Sequence, residues 1–495
     1  MYQRTEGQII LPGDFFLPFG GKLAEDNRWV LLAQIIPWWK VEEKYAKNFK
    51  RSLKGQKAVS IRVALGALII QERLGTDDRE TLQQILENPY LQYFLGLPEY
   101  QHRRPFHASL MTHFRKRLGG DVIHEVNEWI VLEESRQQRE AQDRSDDDDS
   151  GSGHSSVTMS DSDEKQPKQI ELTNEGELLL DATCAPADIA YPTDLSLLNQ
   201  AREKLETIID TLHEPDRGKT FKPRTYRERA RKAYLAVAKQ RRVKPRAMRK
   251  AVGRQLRFVA RDLRIVTQLA ADGALNRLSR RAYKELLVIQ ELFRQQQAMY
   301  DAKSHSTPDR IVSISQPHVR PIVRGKAKAN VEFGAKLAIS VVNGYAFREQ
   351  LSWDSYNESV TLQASVETYR ARFGFYPKAV LADQIYRTRD NLRYCKEKGI
   401  RLSGPRLGRP SGDQQEQKRI AKADASARNA VEGKFGEGKR SYGLGRIRAH
   451  LQTTSETVIG LQLLVMNLEK RLRVLFLPIF QWLLSRLVVR GALSL

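Results

Sequence analysis

The chain has 495 residues, 41% of them apolar and 28% charged, and 82 Lys and Arg against 59 Asp and Glu leave a formal charge of +23. That composition excludes whole-chain disorder and suits about three domains. Two cysteines, Cys184 and Cys395, neither with a CxxC partner, exclude a disulfide-stapled secreted scaffold and fit a reducing cytosol. From the N-terminus, MYQRTEGQIILPGDFF, neither a signal nor a transit peptide is expected, because no long apolar core follows a charged leader. Near the C-terminus VLFLPIFQWLLSRLVV is the most apolar stretch, but Pro478, Gln481, Ser485 and Arg486 interrupt it below the ~18 apolar residues of a membrane span, so a buried helical hairpin is expected. Without a membrane to absorb it, the positive excess implies a polyanionic partner, nucleic acid first.

From residue 1 to 142 the apolar spacing is helical, with Trp29, Leu32, Ala33 and Ile36 on one stripe and Ile61, Leu65, Leu68 and Ile69 on another. Thr76-Asp77-Asp78 starts a third helix over TLQQILENPYLQYFLGL, and FHASLMTHFRKRLGG adds a basic helix closed by Gly119 and Gly120 before another through Trp129. This predicts an all-α N-terminal domain. Residues 143–168, acidic and rich in Ser and Gly, read as a solvated linker rather than a metal site.

GELLLDATC is then an apolar run of strand length, and residues 195–304 form a long helical region. Between Asp216 and Arg264 stand 19 Lys and Arg against three acids, while Val252, Leu256, Val259, Leu263 and Val266 recur at helical spacing. A one-signed face costs self-repulsion unless phosphates neutralise it, so Arg241, Arg242, Lys244, Arg246, Arg249 and Lys250 are candidate DNA-phosphate contacts. Beyond Val331, AKLAISVV and YAFREQLSW are strand-like and joined by Asn343-Gly344, a strong hairpin signal. A helix (SVTLQASVETYRARFG), a buried strand (KAVLA), a helix (RDNLRYCKEKG) and a short strand (IRLSG) follow. The order predicts a mixed sheet flanked by helices, with an all-α insertion after the first strand.

Asp181 directly follows Leu178-Leu179-Leu180, and Asp383 directly follows Val380-Leu381-Ala382. A carboxylate beside a buried strand needs a partner, and strand ends in α/β sheets are where sites form. Taken singly, a helix N-cap or turn role accounts for each at least as well. In SARNAVEGKFGEGKRSYGLGRIRA, Arg428, Glu432 and Lys439 fall within about 40° of one another on a helix. A solvated Arg428–Glu432 pair is the bland alternative, but Gly433, Gly436 and Gly438 point to a backbone that something approaches closely, a phosphate strand being one such thing. His102, His107 and His113 lack metal-ligand spacing and read as surface residues, and Asp188 and Asp194 fall in turns after Pro186 and Pro192. No P-loop sequence occurs, so no nucleotide cofactor is expected.

LLLDATCAPADIAYPTD, VLADQIYRTRDNLRYCKEKGI and Arg428-x3-Glu432-x6-Lys439, taken in order, resemble bacterial insertion-sequence transposases of the DDE type with a ribonuclease H-like catalytic domain. The resemblance spans roughly Leu178 to Arg448, and the N-terminal part also resembles that family's DNA-binding domain. It implies an α/β ribonuclease H-like core over 169–194 and 305–450, a basic helical insertion at 195–304, and C-terminal helices at 451–495 packing on the core. It maps Asp181, Asp383 and Glu432 onto the catalytic triad, and Arg428 and Lys439 onto the basic members of the Tyr-Arg-Glu-Lys signature. The tyrosine of that signature is Ala425 here.

Three carboxylates brought together repel unless cations sit among them, and their oxygens suit two Mg²⁺ ions, with Mn²⁺ as a substitute. The expected reaction is phosphodiester hydrolysis at the ends of an insertion sequence, followed by transesterification into target DNA. The expected partners are terminal inverted repeats, target DNA and, in the DNA complex, a second copy of the chain; the expected place is the bacterial cytoplasm at the nucleoid. The alternatives are a metal-dependent nuclease that cuts without joining and a non-catalytic DNA-binding protein derived from a transposase.

Overall fold

The structure, a computed structural model, describes residues 10–49, 58–148, 174–216, 218–323, 331–404 and 414–492; the side chains of 134–135, 137–148, 216, 271–272, 414 and 477–492 lie outside that description. Six helices come first: α1 (Arg28–Ile35), α2 (Trp38–Ala46), α3 (Ile61–Leu74), α4 (Asp78–Glu87), α5 (Pro89–Phe94) and α6 (Leu110–Asp148). The segment expected as one helix after Asp78 divides into α4 and α5. Pro89 has no N–H to continue the first helix, and the Asn88 side chain accepts from Tyr90 N to cap the second. Gly119 adopts φ 69°, ψ 164°, and kinks α6 where the glycine pair predicts a break. Helical backbone then continues through Asp148, into the segment expected as linker; the rest of that linker, 149–168, lies outside the described residues.

Strand β1 (Glu177–Pro186) is followed by α7 (Asp194–His213), α8 (Arg227–Ala238), α9 (Pro245–Leu269) and α10 (Arg280–Asp301). Then come β2 (Arg320–Val323), β3 (Val331–Val342), β4 (Tyr345–Ser352), α11 (Leu362–Phe373), β5 (Ala379–Leu381), α12 (Arg389–Glu397), β6 (Arg401–Leu402), α13 (Gln414–Ser441) and α14 (Gln452–Ala492). The sheet order is β2-β3-β1-β5-β6, with β4 also on β3. β1 is antiparallel to β3 and parallel to β5, so the sheet is mixed. Asn343 and Gly344, both at positive φ, make the β3–β4 turn, as the sequence predicts. β2, four residues beside the start of β3, is too short to show as a period-2 run and was not expected.

Alternation along the strands divides the core. Leu179, Leu337, Ile339 and Leu381 face a cluster shared with α1–α6, α13 and α14, whereas Leu178, Leu180, Val380 and Ala382 face α11 and Cys395 of α12. Helices α7, α9 and α10 close a third cluster around Leu205, Ile209, Val259 and Ile289. The expected C-terminal hairpin is instead one helix, α14, whose backbone passes through Pro478. Packing on α6, α3 and β4 holds its first half, and no described helix is long and apolar enough to cross a membrane.

Candidate active site and nucleic-acid surface

The β1–β5 pairing sets Glu177 beside Ala379, Leu178 beside Val380 and Leu179 beside Leu381. Two residues further along each chain stand Asp181, in the middle of β1 and not at the strand end expected, and Asp383, past the end of β5; the charge of Asp383 acts on Asp181, so the pairing brings the two aspartates to one place. Asp181 shares the sheet face of Leu179, the face over which α13 packs through Val431 and Phe435. Asp383 is an exposed N-cap just beyond β5, accepting from Gln384 N at 2.7 Å, while Asp181 is half-buried and accepts from Ala182 N at 2.7 Å. Burial, the charge of Glu358 and that of Asp383 push the Asp181 carboxyl up to about 6, against the opposing pull of the Ala182 amide and of Arg428.

Helix α13 brings Arg428 to this pair, its guanidinium 3.5 Å from Asp383. Glu432, one turn further on, is exposed, and Lys439 lines a groove beyond the helix end. Among the described residues no group of three or more His, Cys, Asp or Glu side chains is spaced to hold a metal ion. The two aspartates nonetheless offer the hard oxygen donors that Mg²⁺ takes, since that ion commonly uses one or two carboxylates and completes its shell with water and substrate phosphate. Gly433, Gly436 and Gly438 all remain helical, and the close approach falls at Gly438: a Cβ there would stand 3.1 Å from the Met466 sulfur of α14 and 3.2 Å from Leu444. That glycine serves helix packing, not a phosphate strand.

An ion pair whose carboxylate acts on Asp181 was not found by sequence reading. Lys336 on β3 is buried, pairs with Glu358 at 2.9 Å and donates to the Tyr356 carbonyl at 2.8 Å. Glu358 opens a 3-10 turn, Glu358–Thr361, that packs on the turn following Asp383. The available signal was a lysine inside an apolar strand, which demands a carboxylate partner somewhere in the chain.

Arg241, Arg242, Lys244, Arg246, Arg249 and Lys250 are all exposed, on α9 and the loop before it. Arg249 stacks on the Tyr300 ring at 4.1 Å, and Arg254, Arg257 and Arg264 continue the exposed face down α9. His102, His107 and His113 are exposed as expected. Asp188 pairs with Arg446 at 2.7 Å, and Asp194, the first residue of α7, pairs with Arg310.

Residues 380–469, from β5 through Asp383, Arg428, Glu432 and Lys439 into α14, match the transposase DDE domain, and residues 18–117, α1 through the start of α6, match a second transposase domain (DUF772). The chain belongs to the insertion-sequence DDE transposases. It is 30% identical over 176 residues to an uncharacterized protein, ORF8 in the nfe locus of Rhizobium meliloti, a match covering 36% of this chain and 70% of the relative. No solved structure matches.

Proposed function

We propose that this protein cuts the ends of an insertion sequence and joins them to target DNA, by phosphodiester hydrolysis followed by transesterification. The observation that carries the reading is the register of β1 and β5, which sets Asp181 beside Asp383 under a helix bearing Arg428, Glu432 and Lys439. The two aspartates, joined by Glu432 once DNA is bound, form the catalytic set. Divalent cations held there, Mg²⁺ or in its place Mn²⁺, would supply Lewis-acid stabilisation of charge on the reacting oxygens.

Arg428 neutralises part of the Asp383 charge in the free protein, and its guanidinium fork suits a phosphate oxygen when the scissile strand arrives. Burial of Asp181 favours ligands that bring compensating positive charge to it. The exposed cations of α9 and the loop before it grip the phosphate backbone, and the N-terminal helices recognise the terminal repeats. Holding two ends together calls for a second copy of the chain in the DNA complex, which works at the nucleoid. A Mg²⁺-dependent nicking and strand-transfer assay on DNA carrying the element's own ends tests the proposal. Nicking without joining would reduce the protein to a nuclease, and binding without nicking would leave a DNA-binding protein.

A further inference from the structure

A groove of about 1020 Å³ runs between the N-terminal helices and the chain that leaves α13. One wall carries Glu72, Asp77, Asp78, Arg79 and Arg115; the other carries Lys439, Arg446 and Arg448. Two glycines build the second wall. Gly443 turns the chain at φ +77°, and a Cβ on Gly445 would stand 2.9 Å from the Lys439 carbonyl oxygen, so only glycine lets the chain fold back this tightly. The next residues run extended alongside the end of β1: Ile447 N donates to the Pro186 carbonyl at 2.8 Å, and Asp188 N donates to the Ile447 carbonyl at 3.0 Å. Ile447 is thereby buried, and Arg446 and Arg448 on either side of it are exposed, about 7 Å apart along the chain.

The acidic groups of the groove are each accounted for. Asp78 is held by Arg115 at 2.5 Å, and Asp77 caps α4 by accepting from Arg79 N and Glu80 N at 2.9 Å. Burial pushes Glu72 up to about 7, which removes part of its charge at neutral pH. Arg448 makes no ion pair among the described residues, though its charge reaches Glu72 and Asp77 across the groove; Arg79, exposed in the first turn of α4, makes none either. The groove therefore presents from each wall one exposed arginine, Arg79 and Arg448, that no ion pair among the described residues ties down.

We infer that this groove is a second track for the DNA phosphate backbone, with Arg448 and Arg79 clasping one strand from opposite sides. It rests on the transposase reading and extends it. Helix α13 runs from Arg428 at the aspartate pair to Lys439 at the groove, about 16 Å along the helix, so a strand leaving the aspartates along α13 enters the groove next.

The test uses the full chain with Arg79→Gln and Arg448→Gln together, exposed positions whose change should leave the melting temperature unmoved. Binding to a duplex carrying the element's end, followed by anisotropy between 50 and 200 mM salt, should weaken about tenfold, with the salt slope shallower by roughly 2 for two lost contacts. A hydroxyl-radical footprint should lose protection over one discrete stretch of a strand. Unchanged affinity and slope, while an Arg246→Gln, Lys250→Gln and Arg254→Gln variant of α9 loses binding, would overturn the groove and leave the transposase reading standing. So would weaker binding with every protected position retained, which would be a general charge effect. A parent protein that bound no end DNA would overturn both.

Discussion

Asp181 is placed where folding resists its charge: half-buried, beside a second aspartate and within the field of Glu358. A carboxyl whose folded pKa is raised loses its contribution to stability as the pH rises from the ordinary carboxylate value, about 4, through about 6, so the anion at pH 7.5 is held at the expense of stability. Asp181→Asn should therefore leave the unfolding free energy equal or higher, by up to about 1–2 kcal/mol after allowance for partial exposure, while reducing Mg²⁺-dependent cleavage by roughly 10²-fold or more. DNA affinity should persist, because the basic surfaces are untouched. Asp383→Asn, at an exposed cap, should abolish cleavage likewise without the gain in stability. Calorimetry beside a nicking assay and a gel shift checks this, and full cleavage by either variant would make these aspartates structural.

At the scale of the element, α9 carries opposite burdens on its two faces. Outward it presents Arg246, Lys250, Arg254, Arg257 and Arg264. Inward it buries Asp262 completely, with neither carboxylate oxygen hydrogen-bonded among the described residues, near Arg202 and Glu206 of α7 and Arg227 of α8. Burial first, then Glu206, push the Asp262 carboxyl up to about 7 while Arg202, Arg261 and Arg227 pull it back. The folded pKa lies above the unfolded one, so the stability this group contributes is complete below about pH 4 and is lost as pH rises to about 7. From pH 5 to 8 the α7–α10 region should lose about 2–3 kcal/mol that an Asp262→Asn variant keeps, seen as slower amide exchange in α7 and α9 of the variant at pH 8. Equal pH dependence in both proteins would show Asp262 ionised throughout.

The same helix shows what was legible beforehand: Leu256, Val259 and Val266 turned inward as their spacing required, and the outer cations followed from charge count. The hairpin at Asn343-Gly344 was an equally local signal, but Asp181, expected at a strand end, stands in the middle of β1, which runs on to Pro186 because its later residues still pair with β3. The Lys336–Glu358 pair was not legible, because its partners lie 22 residues apart and only the fold of β3 onto the following 3-10 turn brings them together. Nor was the continuity of α14, since a proline in an apolar run argues for a break.

Over the whole molecule, the α1–α6 helices do not stand apart from the sheet. One apolar cluster runs from Trp29 and Leu65 through Ile123 and Ile459 to Ile339 and Leu381. α6 and α14 lie side by side and run in the same direction, since Arg115 meets Thr457 and Asn127 meets Asn467. The buried Asn467 side chain donates to the Asn127 amide oxygen at 2.8 Å and to the Ala346 carbonyl at 2.7 Å, and accepts from Ala346 N at 2.9 Å, so one residue joins α14, α6 and β4. Arg372 of α11, its side chain buried, likewise joins the two parts by bridging Glu128 of α6 and Glu349 of β4 at 2.6 Å each. Asn467→Ala leaves the Ala346 amide and the Asn127 side chain short of partners in a dry interior, which should cost about 2–4 kcal/mol. Because the lost bonds cross between the two parts of the chain, the loss should appear in both. In urea, amide exchange of α3 and of β3 should rise together, with one shared midpoint lowered in the variant. If α3 instead opened at its own lower midpoint while β3 kept that of the parent, the N-terminal helices would be an independently folding unit merely leaning on α14, and the common core would carry no coupling between DNA recognition and the aspartate pair.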